Sequence, residues 1–170
     1  MARSRKKLAA FHLVLITAVL AGPAGMKGVA WAQGMEHGAG KADAHMEAMH
    51  RLKEKIPEEY RVMDRTPVAP TQQSLARGKE LYLKHCAACH GKGGKGDGPA
   101  AAGMNPPPAN FLDLDHSATY GPGEKYWLIG NGSGETGMPA FDTLGPAERW
   151  DLVNFILSLQ EKAPKKGDGH

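Results

Sequence analysis

Cys86-Ala87-Ala88-Cys89-His90 contains the only two cysteines of a 170-residue chain. The spacing fits the Cys-x-x-Cys-His signature of covalent haem attachment. Three positions apart in a helical turn, the two thiols share a face, and each can add to one vinyl group of a haem as a thioether. His90 follows at once, so its imidazole can ligate the iron from the proximal side. Other uses of the pair fit less well. Redox dithiols sit on strand-helix-strand units, and no such pattern surrounds this one. A zinc site needs four ligands, and no second cysteine pair or His-x-His spacing completes the set. A disulfide across two intervening residues would be strained and would explain little.

Upstream, residues 1–32 read as a secretory signal. Arg3, Arg5, Lys6 and Lys7 form a basic start, Leu8 to Leu20 an apolar run, and Ala30-Trp31-Ala32 an A-x-A cleavage site. The run is too short for a comfortable membrane span, so no stable membrane insertion is expected after cleavage. The signal holds five of the 21 basic residues and none of the 18 acidic ones, leaving 16 against 18. The basic balance of the whole chain is therefore no argument for nucleic-acid binding. Export to the periplasm also fits haem attachment, since c-type maturation happens outside the cytoplasm.

Residues 33–70 read as an N-terminal extension or linker. Gln33 to Lys41 is glycine-rich, and Pro57, Pro67 and Pro70 break the later part. Asp43 to Lys55 fits a short helix with Asp43 as N-cap, with mostly Met and Ala to bury. Met35, His37, His45, Met46, Met49 and His50 gather here. They are soft copper ligands, but a solvated linker whose methionines touch the main domain is the reading preferred.

From Thr71 onward the pattern changes. Thr71 or Ser74 can cap a helix in which Leu75, Gly78, Tyr82 and Cys86 form one stripe. Gly78 costs that helix about 1 kcal/mol against Ala and marks a place where another helix crosses closely. Gly91 to Gly103 is not a phosphate loop, because no strand precedes it and no Gly-Lys-Ser/Thr closes it; it reads as a flexible wrap around the haem. Within it the carbonyl of Gly98 or Pro99 is expected to accept the second imidazole N–H of His90. Pro106-Pro107-Pro108 is a stiff extended run. Glu124 to Gly130 reads as a short helix, after which a glycine-rich loop ends in Met138-Pro139. Met138 is the candidate sixth ligand: its thioether is soft, and Pro139 stiffens the backbone beside it. Met104, His116 and His85 are its rivals. Gly145-Pro146-Ala147-Glu148 starts a last helix, with Leu152, Phe155, Ile156 and Leu159 as its apolar stripe. Residues 162–170 read as a flexible tail.

In combination, Gly78-x-x-x-Tyr82-x-x-x-Cys86-x-x-Cys89-His90-Gly91, Gly96-Asp97-Gly98-Pro99, Pro108-Ala109-Asn110-Phe111, Gly137-Met138-Pro139-Ala140-Phe141 and the terminal helix with Trp150, Leu152 and Phe155 resemble a class I cytochrome c over residues 71–161. The resemblance implies an all-α fold whose first and last helices cross around one covalently bound haem c. It implies Cys86 and Cys89 as attachment sites, and His90 and Met138 as axial ligands of the iron. It further implies a soluble periplasmic carrier in a bacterial respiratory chain, a monomer that exchanges electrons with a redox protein donor and acceptor. Lys79, Lys84, Lys92 and Lys95 could steer an acidic partner or form an ordinary solvated surface. The resemblance does not reach residues 33–70. The competing functions are a haem sensor with a labile sixth ligand, a peroxidase, for which no catalytic base constellation is present, and a copper-handling protein that uses residues 35–50.

Overall fold

The computed structural model describes residues 36–164. The signal read at 1–32, Met35 and the tail beyond 164 lie outside the described residues, as do the side chains of His37 and His45. Among the described residues seven α-helices follow one another: α1 (Glu36–Lys55), α2 (Glu58–Arg61), α3 (Gln72–His85), α4 (Ala87–His90), α5 (Leu114–Ser117), α6 (Pro122–Asn131) and α7 (Pro146–Glu161), with a 3-10 turn at Pro99–Ala101. Among the described residues there is no strand, only an isolated bridge between Ser133 and Met138. The expected all-α architecture holds.

Local chemistry sets the ends of the helices. Thr71 caps α3, its Oγ1 accepting from the Ser74 N–H at 3.2 Å. At α6 the Glu124 carboxylate turns back to accept from the Gly121 N–H at 2.5 Å. At α7 Glu148 does the same for Gly145 at 2.8 Å. In both helices proline occupies the first turn, where its missing N–H costs nothing.

The centre of the molecule is the crossing of α3 and α7. A Cβ at Gly78 would lie 2.0 Å from the Asp151 carbonyl oxygen and 2.9 Å from Phe155 Cβ, so only glycine lets the two backbones approach this closely. Tyr82, fully buried, packs at 5.2 Å on Phe155 and donates its hydroxyl to the Gly91 carbonyl at 2.8 Å. Leu152, Val153 and Ile156 complete this core, and Tyr126 of α6 stacks on Trp150 at 4.3 Å. One detail of the expected stripe differs. Ser74, not Leu75, is the buried residue of the first turn of α3, because its hydroxyl joins a polar cluster on α7.

That cluster is a buried staple. Ser74 Oγ donates to Asp151 Oδ1 at 2.5 Å, Arg77 Nε donates to Oδ2 at 2.7 Å, and Asn154 Nδ2 donates to Ser74 Oγ at 3.0 Å. Burial works to raise the pKa of Asp151, but the hydrogen bonds from Arg77 and Ser74 and the Arg77 charge outweigh it and hold the carboxyl below the usual range. A depressed folded-state pKa stabilises the fold at every pH above the unfolded value, about 3.9, and that contribution is lost as pH falls through the folded value. We expect Asp151→Asn to lose about 1–3 kcal/mol at pH 7 and to show a shallower loss of stability below about pH 4 than the parent. Urea unfolding between pH 2 and 7 checks this; parallel curves for parent and variant would rule it out.

The extension differs from expectation. Helix α1 starts at Glu36, so Asp43 lies inside it and is not its cap. Twenty residues absorb the cost of Gly38 and Gly40, about 1 kcal/mol each. The segment also has more to bury than its Met and Ala positions suggest. Leu52 and Ile56 pack with Leu128 of α6 in a second apolar cluster that Tyr60, Tyr120 and Trp127 border. Lys53 Nζ donates to the Thr119 carbonyl at 2.7 Å and pairs at 3.2 Å with buried Glu124. Tyr120 donates its hydroxyl to the Met49 carbonyl at 3.0 Å.

Candidate functional site

Helix α3 ends at His85, and Cys86 is both its C-cap and the N-cap of α4. The Cys89 and His90 N–H groups return to the Cys86 carbonyl at 3.2 and 2.9 Å. This single turn places Cys86, Cys89 and His90 on the wall of one cavity of about 410 Å³. Neither cysteine is in a disulfide. Burial, and secondarily the neighbouring Cys89, pushes the Cys86 thiol up to about 12, so it is held as the neutral thiol rather than as a reactive thiolate.

The loop after His90 is fixed rather than flexible. The Gly96 N–H donates to the His90 carbonyl at 2.9 Å, Gly98 to Cys89 at 3.1 Å, and Phe111 to Gly94 at 2.7 Å. Gly98 packs so closely that a Cβ there would lie 2.2 Å from the Ala88 carbonyl oxygen. This contact corrects the expectation for His90. Gly98 seals the backbone of α4 and its own carbonyl accepts from the Ala101 N–H, and the imidazole partner is instead the Ala109 carbonyl, 3.1 Å from Nδ1. The proline run 106–108 delivers that carbonyl to the ring. Because a carbonyl only accepts, Nδ1 carries the proton and Nε2 keeps its lone pair for a metal. Burial lowers the pKa of His90, and the Ala109 hydrogen bond opposes this; the net direction favours the neutral, ligating imidazole. Phe111 stacks on the ring at 4.8 Å.

Met138 lines the same cavity. Its loop is clamped by a reciprocal pair of hydrogen bonds, Ser133 N–H to the Met138 carbonyl at 2.8 Å and Met138 N–H to the Ser133 carbonyl at 3.1 Å. Gly132 and Gly137, at φ +69° and +71°, make the turns on either side that a side chain would strain. The rivals line the cavity too. His116 Nδ1 pairs with Asp113 at 2.7 Å, His85 meets Phe141 edge-on at 5.8 Å, and the Met104 methyl lies 4.0 Å from where a Gly137 Cβ would be. The structure thus brings all four sequence-derived site residues to one cavity, and three alternatives with them.

The residues fit a haem. The cavity is of the size that buries a ligand of several rings, and Pro106, Pro108, Phe111, Ile129 and Ile156 give it mostly apolar walls. Two thiols, a neutral imidazole and a thioether face into it. Met49 of α1 forms part of the wall, a methionine of the extension touching the main domain; Leu52 and Lys125, which sequence reasoning missed, line it too. Leu52 and Ile56 recur four apart and could have signalled a buried face; nothing in the local sequence singled out Lys125.

A family model described as Cytochrome c matches residues 75–160. Among solved structures, the chain is similar to a Kuenenia stuttgartiensis reducing HAO-like protein complex, Kustc0457/Kustc0458. That match has 30% identity and a TM-score of 0.47, and covers 55% of this chain and 46% of that one. The chain spans about half the length of that neighbour. No curated protein matches.

Proposed function

This chain belongs to the cytochrome c family, and from that premise we propose that it is a one-electron carrier with a single haem c, exported to the periplasm and serving a respiratory chain. Membership brings covalently bound haem and haem-based electron transfer. When bound, the haem supplies an iron that accepts and returns one electron.

The remaining work falls to this chain. Cys86 and Cys89 are the attachment sites, and their fixed separation along one turn sets where the ring enters. His90 would ligate the iron through Nε2, its ring oriented by the Ala109 carbonyl. Met138 would supply the second ligand, from a loop that its paired hydrogen bonds with Ser133 hold in place. Thioether ligation and apolar walls both favour the reduced state and raise the potential. The observation that carries this reading is the convergence of Cys86, Cys89, His90 and Met138 on one apolar cavity. Lys79, Lys84, Lys92 and Lys95 are exposed and suit an acidic redox partner, met as a monomer. Among the described residues no helix is long and apolar enough to cross a membrane.

The test is a visible spectrum, oxidised and reduced, of protein matured with haem. Sharp reduced c-type bands and the weak red methionine–iron(III) band are expected. We expect Met138→Ala to abolish the red band, lower the midpoint potential and admit carbon monoxide. A red band that survives in Met138→Ala would move the sixth ligand to Met104. Carbon monoxide binding by the parent protein would favour the sensor reading.

A further inference from the structure

The ammonium of Lys125 touches no carboxylate among the described residues. The residue is 8% exposed and lines the cavity. Its Nζ donates to the Ser117 carbonyl at 3.2 Å and to the Tyr120 carbonyl. Both acceptors are neutral, and a lysine ammonium has a third hydrogen to place. The nearest candidate anion acts only at a distance: Glu124 Oε1 lies 3.2 Å from Lys53 and makes no hydrogen bond, Oε2 accepts from the Gly121 N–H, and the carboxylate supports Lys125 through its charge without touching it. Among the described residues no carboxylate lies within 4 Å of Lys125 Nζ. A buried cation with no paired anion is costly, and proteins rarely leave one so.

We propose that Lys125 binds a carboxylate of the haem itself, one of the two propionates that the ring carries besides its thioether arms. This rests on the haem reading above. Lys125 stands on α6, a different wall from the α3–α4 junction that holds the thiols. Among the described residues its Nζ has two acceptors, the Ser117 and Tyr120 carbonyls, which leaves a third hydrogen to place. Tyr120 and Lys53 close this end of the cavity from the side of α1, through the Met49 and Thr119 carbonyls. Burial brings Lys125 down to about 8, with Glu124 opposing and Lys53 adding to the fall; an anion seated at Nζ would raise it again. The titratable groups that share this end are Glu124, Lys53, Tyr120, His116 and Asp113.

Two measurements on the haem-loaded protein test this. The first uses lysine-labelled, reduced protein. Nuclear Overhauser contacts from the Lys125 ε-protons to haem propionate methylenes are expected; contacts to Ser117 and Tyr120 alone would overturn the proposal. This arm needs no variant. The second compares midpoint potentials at pH 7. Lys125→Met removes a positive charge that disfavours the ferric state and leaves a propionate unpaired, so its potential should fall, while Lys125→Arg should stay near the parent. Equal potentials in all three proteins would also overturn the proposal. A parent protein that takes up no haem would overturn the function itself, and this inference with it. Haem uptake with neither the contacts nor the shift would overturn this inference alone.

Discussion

Replacing Cys86 and Cys89 together by alanine is expected to leave a chain that neither holds haem covalently nor folds cooperatively. The cavity they border measures about 410 Å³. At roughly 24 cal/mol per Å³, an unfilled apolar cavity of that size would cost at most about 10 kcal/mol, the upper figure because part of it is open to water. A domain of this length has only about 5–15 kcal/mol of net stability. The ring is therefore much of the core, and α3, α6 and α7 have no apolar group with which to replace it. Far-ultraviolet circular dichroism during heating reads the result. Native-like helicity and a cooperative melt in the haem-free double variant would show that the α3–α7 crossing suffices alone.

Gly78→Val should have the second largest effect. Two forces compete at this position. Any residue with a side chain gains helix propensity over glycine, by about 1 kcal/mol for alanine and less for valine. Against that, the first carbon of the side chain would sit 2.0 Å from a backbone oxygen of α7, which no rotamer change relieves. Overpacking typically costs 1–3 kcal/mol and more where backbone must move, so the clash wins. Gly78→Ala should lower the melting temperature by roughly 5–10 °C, and Gly78→Val further, with loss of Tyr82 packing on Phe155. A neutral or stabilising alanine variant would mean that α3 and α7 can part without penalty.

How much of this was legible in the sequence depended on how local each cause was. Gly78, the Cys-x-x-Cys-His turn, the proline starts of α7 and the Met138-Pro139 loop each act through neighbours a few positions away, and each was readable. The His90 partner was not. Counting forward from the motif pointed to Gly98 or Pro99, but Gly98 is consumed in sealing α4, and the acceptor arrives from Ala109 by way of the proline run. Helix α1 was underestimated for a related reason. Its Met- and Ala-rich face looks weakly apolar until Leu128, Tyr120 and Trp127 are brought beside it, 64 or more positions downstream of the residues they cover. Lys125 carried no signal at all, because a lysine in an amphipathic helix reads as solvent-facing until its surroundings are known.

Helix α1 also bears on traffic. Met49 and Leu52 roof one side of the cavity, and Lys53 and Tyr120 bolt that roof down. A roofed side is a side at which no second protein can come close to the ring. On the proposed reading, a donor and an acceptor that both dock beside Cys86 and Cys89 could not occupy that side together. Each cycle would become a queue: the donor must leave before the acceptor can dock, and throughput would be set by how fast the first visitor departs.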